Sequence, residues 1–265
     1  MESRIVLENE LAGIQKWEKD QGGGWFWDKL MRLPFKLLDK LTPKFIQKKI
    51  GMLLDEIGSF IQTGGRYLAS EKRVYRFFEK TTGHTVHAKE DFQHVPLEDM
   101  KKASLKVAAR MKNTATAQGA STGVGGIFTL AIDIPAILTL SLTTLQEIAL
   151  MHGYDPDDKK ERVFIIKCLQ FSTSDVVGKE AILKELSNYH QGSKSNDVIS
   201  QIQGWREVTL TFTEQFGLKK LLQIVPIAGI LIGALINRTM IDELAETGTM
   251  LYQKRKIMER LETAE

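Results

Sequence analysis

Apolar residues recur every three to four positions along most of this chain, which is the spacing of one face of an α-helix. Residues 3–20, 50–79, 96–112 and 179–189 follow it, and residues 205–216 fit it better than they fit a strand. Residues 156–171 are apolar nearly all round, which predicts a buried helix. The pattern therefore predicts an all-α fold. We expect one multi-helix domain over residues 1–265, with a core at 15–255 and helical flanks at 1–14 and 256–265.

Two long stretches break this amphipathic pattern because they are almost free of charge. Residues 127–150 carry only two charged side chains, Asp133 and Glu147, and residues 221–237 carry none. The second stretch has 17 residues, the lower limit for crossing a bilayer core of about 30 Å. Pro226 within it weakens a spanning helix further. The sequence leaves open whether the two stretches form a soluble core or insert shallowly into a bilayer.

Glycines spaced four apart accompany both stretches. Gly119 and Gly123 precede the first, and Gly229 and Gly233 lie within the second. Small residues at this spacing let two helix backbones approach closely. We therefore predict two central glycine-containing apolar helices packed as a pair.

The ends of the first apolar helix are predicted from its polar residues and prolines. Asp133 is expected to be an N-cap, with Pro135 in the first turn of a helix that runs to His152. The alternative is that Asp133 is a buried anchor for a Lys or Arg, or faces a polar cavity. Gly153 is expected to be the C-cap.

A second helix is predicted to follow at once. Asp155 is expected to cap it, with Pro156 at its first position. A metal site made by His152 and the neighbouring aspartates is the alternative, but helix capping accounts for every one of these residues. Six residues are thus candidate structural anchors: Asp133, Pro135, Gly153, Asp155, Gly229 and Gly233.

An aromatic and basic segment follows the triple glycine at residues 22–24. From residue 28 to residue 49 it has seven Lys or Arg against two Asp, with apolar residues between them. Aromatic rings and lysines on one amphipathic segment suit the surface of an anionic membrane. The alternative is a helical hairpin on the core with its lysines in water. The candidate membrane-surface residues are Trp25, Phe26, Trp27, Lys29, Arg32, Lys36, Lys40 and Lys44.

Composition narrows the function classes. The net charge of +3 is too small for a nucleic-acid polycation, and we expect no nucleic-acid partner. The single cysteine, Cys168, excludes a disulfide framework and suits a reducing compartment. Residues 1–10 lack the basic start and apolar core of a secretory signal, so we expect a cytoplasmic protein.

No set of residues indicates catalysis, and we expect no cofactor or metal. The glycine-rich residues 119–126 lack the Lys-Ser/Thr ending of a P-loop. His84, His87 and His94 share a polar loop, but their spacing matches no standard ligand pattern.

Several motifs in order resemble the EcsC-like bacterial proteins. They are Ala131-Ile132-Asp133-Ile134-Pro135, Glu147-Ile148-Ala149, Gly153-Tyr154-Asp155-Pro156, Glu161-Arg162-Val163-Phe164, Val225-Pro226-Ile227-Ala228-Gly229 and Gly233-Ala234-Leu235-Ile236-Asn237. The resemblance covers residues 15–255, and His152 departs from it because the family pattern favours Tyr there. The family that the chain resembles takes its name from the third product of an operon whose other products form an ABC transporter. The resemblance implies no enzymatic activity and no catalytic residue.

Together these features predict a non-enzymatic accessory protein, bound peripherally to the inner face of the cell membrane. Its expected partner is an anionic membrane surface or a membrane protein, for example ABC transporter subunits. One alternative is a soluble helical module that binds a lipid or a small apolar ligand. Another is a hydrolase or metal enzyme that uses Asp133 or the histidine loop.

Overall fold

Helices account for almost all of the chain that the computed structural model describes, namely residues 2–21, 57–64, 69–122, 130–174, 176–189 and 226–263. No strand occurs within these ranges, so the all-α prediction is confirmed. A 3-10 helix spans Lys89–Gln93, and residues 57–63 are also helical. The α-helices are α1 (Arg4–Asp20), α2 (Glu71–Thr82), α3 (Leu97–Thr122), α4 (Leu130–Met151), α5 (Lys159–Thr173), α6 (Val176–Tyr189) and α7 (Pro226–Thr263).

The longest helix, α7, is the centre of the fold. It packs along α3 over much of its length and also contacts α1, α4 and α5. Arg260 donates to the carbonyl of Val95 at 2.6 Å, and Lys112 pairs with Asp242 at 2.8 Å. These two contacts show that α3 and α7 run in opposite directions.

The first helix lies against the last. Glu2, just before α1, accepts from Arg260 at 2.5 Å, and Glu18 accepts from Lys254 at 2.7 Å. One hydrophobic cluster joins side chains from α1 through α7. The described helices therefore share a single core.

A close approach between α4 and α7 occurs at Gly248. A Cβ atom built there would lie 2.8 Å from Cδ2 of Leu145, which is closer than carbon atoms approach without strain. The sequence patterns did not single out this glycine. The two helices can meet here because residue 248 has no side chain.

The predicted glycine pair is only partly described. Gly119 is buried on α3, and α4 itself contains no glycine. Gly229 and Gly233 belong to α7, but their surroundings and Gly123 lie outside the described residues. A contact between these glycines therefore stays a prediction. Among the described residues, no helix is long and apolar enough to cross a membrane.

The beginning of α4 differs from the prediction. The helix starts at Leu130, so Asp133 is not its N-cap and Pro135 lies inside the helix. A proline there removes one backbone hydrogen bond. The buried apolar length from Ile137 onward offsets that loss, because burying each large apolar side chain contributes about 1.5–3 kcal/mol. Similarly, the helical pattern of residues 96–112 underestimated the length of α3, which continues to Thr122.

For the turn between α4 and α5, the predicted end of α4 is confirmed and the predicted start of α5 is wrong. Gly153 has φ of 77°, which confirms the predicted glycine C-cap. The N-cap of α5 is Asp158, whose Oδ1 accepts from the backbone N–H of Lys160 at 2.9 Å. Asp155 is therefore not the cap, and Pro156 lies in the preceding turn. Asp155 is instead held by Lys89 of the 3-10 helix, at 3.2 Å.

Candidate functional site

The predicted membrane-surface residues, from Trp25 to Lys44, lie outside the described residues, and their role stays a prediction. The same holds for the side chain of Asp133. Of the other candidate anchors, Gly153 and Asp155 lie together where the 3-10 helix docks on the α4–α5 turn. Pro135 is half-buried within α4.

A connected group of buried polar side chains surrounds Glu161 on α5. Its side chain is only 4% exposed, and both carboxylate oxygens have partners. Tyr252 donates its hydroxyl to Oε1 at 2.5 Å, and Arg255 donates from Nη1 to Oε2 at 2.7 Å. Both partners come from α7. We call Glu161, Tyr252 and Arg255, together with the adjacent rings of Tyr154 and His152, the buried cluster.

Aromatic rings cover the cation of the buried cluster. The Arg255 guanidinium carbon lies 4.0 Å from the ring centroid of Tyr154 and 5.0 Å from that of Phe164. His152 stacks on Tyr252 with 5.9 Å between ring centroids. A guanidinium over an aromatic face is stabilised by about 2 kcal/mol once it is shielded from water. The rings therefore favour keeping this charge inside the protein.

Protonation in the buried cluster is set by burial and by the ion pair. Burial raises the pKa of Glu161, while Arg255 and the Tyr252 hydroxyl oppose the increase. Burial and the nearby Glu161 charge raise the pKa of Tyr252 well above its usual value, so its hydroxyl remains a donor. The arrangement joins α5 to α7 through a fixed, hydrogen-bonded ion pair. Both carboxylate oxygens are already occupied.

His152 makes stability depend on pH. Burial lowers its pKa from 6.5 to about 4, and the nearby charges of Lys256 and Arg260 add to this. The unfolded chain therefore takes up this proton at higher pH than the folded chain does. The stability that neutral His152 provides is full above about pH 6.5 and is lost as pH falls toward 4.

We expect His152→Phe to reduce this acid sensitivity. Between pH 7 and pH 4.5 the wild-type protein should lose about 2–3 kcal/mol more unfolding free energy than the variant, at about 1.4 kcal/mol per pKa unit. Urea unfolding at a series of pH values measures both. Parallel stability curves for the two proteins would contradict the assignment.

A second buried carboxylate joins α4 to α3. Glu147 is bonded to Arg110, and burial raises the pKa of Glu147 while Arg110 opposes this. The Arg110 guanidinium also lies 4.9 Å from the ring centroid of Phe77 on α2. This pair, like the first, connects helices that are distant in sequence.

Arg162 is a further buried charge of α5, whereas the histidines of the loop are exposed. Arg162 donates to the carbonyls of Ile61 and Gln62 at 2.9 and 3.0 Å, and so holds the helical stretch 57–63 to α5.

His84 of the histidine loop pairs with Asp99 at 3.0 Å. Across the described ranges, no three His, Cys, Asp or Glu side chains come together as metal ligands would. Burial raises the pKa of the Cys168 thiol well above its usual value.

Sequence reasoning did not identify the buried cluster as a unit. Glu161 was part of a quoted motif, but Tyr252 and Arg255 lie 91 and 94 positions later. The available signal was chemical. Glu161, Arg162 and Lys167 are charged, yet they lie in a segment that the sequence predicts to be buried, and buried charges need partners.

Comparison with known proteins gives consistent results. The EcsC protein family matches residues 8–257. A Bacillus subtilis (strain 168) protein named Uncharacterized protein YdbA is 57% identical over 265 residues, covering 100% of this chain and 97% of that protein. Protein EcsC of the same organism is 26% identical over 171 residues, covering 64% of this chain and 70% of that protein. No solved structure matches the chain.

Proposed function

This chain belongs to the EcsC protein family, and from that premise we propose that it is a non-enzymatic accessory protein of the cytoplasmic membrane face. In this proposal, the aromatic and basic segment at residues 25–49 binds anionic lipid, and the helical core holds that segment in place. The observation that carries the proposal is the composition of the segment, with seven cations, two acids and three adjacent aromatic rings.

The helical core supports this proposal at both ends of the segment. Before it, Trp17 donates to Glu246 at 3.0 Å and Glu18 accepts from Lys254 of α7. After it, Arg162 binds the carbonyls of Ile61 and Gln62. The segment is thus joined to the core on both sides, so lipid binding by it would hold the whole protein at the surface.

The buried carboxylates support a non-enzymatic role. A general acid or base must reach a substrate proton. Glu161 is instead enclosed and bonded through both oxygens, and Glu147 is bonded to Arg110 inside the helix bundle. We propose that these groups hold helices together. The family resemblance further suggests a membrane protein, such as ABC transporter subunits, as a partner at the same surface.

Removing the two tryptophans tests the segment. We expect Trp25→Ala/Trp27→Ala to weaken sedimentation with phosphatidylglycerol vesicles at least tenfold, because burying one large apolar side chain contributes about 1.5–3 kcal/mol. The matched control is Ile5→Ala/Val6→Ala, which removes two exposed apolar residues of α1. The control should bind as the wild type does. Wild-type protein that stays in the supernatant with anionic vesicles at low salt would overturn the proposal.

A lipid-binding or ligand-binding module is the second candidate, because a groove of about 210 Å³ lies between α1, α5, α6 and α7. Its described lining is mainly apolar and consists of Leu11, Gln15, Glu18, Phe164, Leu186, Leu251, Lys254 and Met258. Native mass spectrometry of purified protein tests it. A bound mass that is lost in Leu186→Gln supports this candidate, and protein of the bare chain mass contradicts it.

A further inference from the structure

The outer surface of α2 and α3 carries cations from both helices. Lys102, Lys106 and Arg110 occupy successive turns on one side of α3. Arg73, Arg76 and Lys80 occupy one side of α2. We call these six cations, together with Leu105, the α2–α3 basic face.

Contacts between α2 and α3 show that their cations form one surface. Arg110 lies over the ring of Phe77, near the middle of α2, and His84, just after α2, pairs with Asp99 near the start of α3. The two helices therefore run antiparallel. This arrangement brings the later cations of α2 beside the earlier cations of α3.

The cations of this face are available for binding. Arg76, Lys80, Lys102 and Lys106 are exposed, and none of them forms an ion pair with any residue in the described part of the chain. The nearby Glu79 is turned to Thr85, whose hydroxyl it accepts at 2.7 Å. The six cations of the face outnumber the neighbouring acids Glu79, Glu98 and Asp99, so the surface presents an excess of positive charge.

Leu105 indicates what this charge binds. It is 56% exposed and lies on the solvent side of α3, as the i,i+3 neighbour of Lys102. Phosphate contacts with nucleic acid would engage the cations but not this aliphatic side chain. An anionic phospholipid surface provides phosphates for the cations and acyl chains for the leucine.

We infer that the α2–α3 basic face docks on an anionic phospholipid surface, as a second contact in addition to residues 25–49. The inference rests on the proposed function, since it assumes that the protein works at a membrane. It concerns different residues from the proposed segment at 25–49, and these residues belong to the helical core. Two contacts at separate places would fix the orientation of the core on the membrane.

Neutralising the face provides the first test. The variant Arg76→Gln/Lys80→Gln/Lys102→Gln/Lys106→Gln leaves the Arg110–Glu147 pair intact. Its matched control, Lys16→Gln/Lys19→Gln/Lys159→Gln/Lys184→Gln, removes the same charge from exposed positions of α1, α5 and α6. At about fivefold per cation near an anionic surface, the first variant should bind phosphatidylglycerol vesicles at least 100-fold more weakly than wild type. The control should lose less than about threefold.

A fluorescent label reports contact directly. Cys168 is buried, so Leu105→Cys can be labelled selectively with a polarity-sensitive fluorophore. We expect a blue shift with phosphatidylglycerol vesicles and none with phosphatidylcholine vesicles. The same label at Lys184→Cys, on α6, should report no change.

The outcomes separate the two proposals. Wild-type binding with equal losses in the two quadruple variants would overturn the basic face and leave the segment at 25–49 in place. Loss in the basic-face variant with no effect of Trp25→Ala/Trp27→Ala would support the face and contradict the segment. Duplex DNA binding that depends on these four cations, with no vesicle binding, would overturn both.

Discussion

Replacing Gly153 with alanine is expected to destabilise the protein by about 2–5 kcal/mol. Its φ of 77° costs an L-residue about 1–2 kcal/mol. In addition, a Cβ there would lie 2.6 Å from Cβ of Phe92 and 2.9 Å from the carbonyl oxygen of Lys89. Relieving such overlap in a packed site typically costs a further 1–3 kcal/mol. Urea unfolding of Gly153→Ala against wild type measures the sum.

Gly83 provides a matched control for this prediction. It has φ of 83° at the C-cap of α2, and nothing lies within 4 Å of a Cβ built on it. Gly83→Ala should therefore cost only the conformational part, about 1–2 kcal/mol. The difference between the two variants isolates the packing of the 3-10 helix against the α4–α5 turn. Equal losses would show that this contact contributes nothing.

Replacing Arg255 with methionine is the second change with a large expected effect, about 3–5 kcal/mol at pH 7. It leaves Glu161 buried without its counter-ion, and an unpaired buried charge is far costlier than a missing pair. Arg4→Met serves as the control, because the Arg4–Glu8 pair is on the surface, with both side chains more than half exposed. Such a surface pair contributes about 0–1 kcal/mol.

The loss in Arg255→Met should depend on pH in a defined direction. Burial already raises the pKa of Glu161, and removing the cation removes the main opposing influence. Protonation then relieves the buried charge, so the variant regains stability relative to wild type as pH falls below 7. Comparing the two proteins at pH 7 and pH 5 separates this effect from the acid loss that both share through His152. A difference that grows toward pH 5 would contradict it.

The helices were predictable because their signals are local. The apolar spacing of α1, the glycine after α4 and the all-round apolar character of α5 depend only on neighbouring residues. The family resemblance was visible for the same reason, since its motifs are short. The predicted helix starts were wrong where local signals conflicted. Three aspartates precede α5, and any of them could cap it. Asp155 pairs with Lys89 of the 3-10 helix, and Asp158 caps α5.

The buried cluster was not predictable because it depends on distant pairing. Nothing near Glu161 indicates that Tyr252 and Arg255 will meet it; that depends on how α7 packs against α5. The same applies to Gly248, whose missing side chain is needed only because Leu145 crosses it. The α2–α3 basic face was predictable only in part. Its cations are visible in sequence, but their common surface follows from the antiparallel packing of the two helices.

The contact between α1 and α7 has a consequence for the order of synthesis. Glu2 bonds Arg260, and Glu18 bonds Lys254, more than 230 positions later. A ribosome releases the first helix long before the last one exists, so α1 must wait without its partner while the rest of the chain is made. Its apolar residues, Leu7 and Ile14 among them, stay open to chaperones during that interval. This fold can therefore be completed only after α7 has been made.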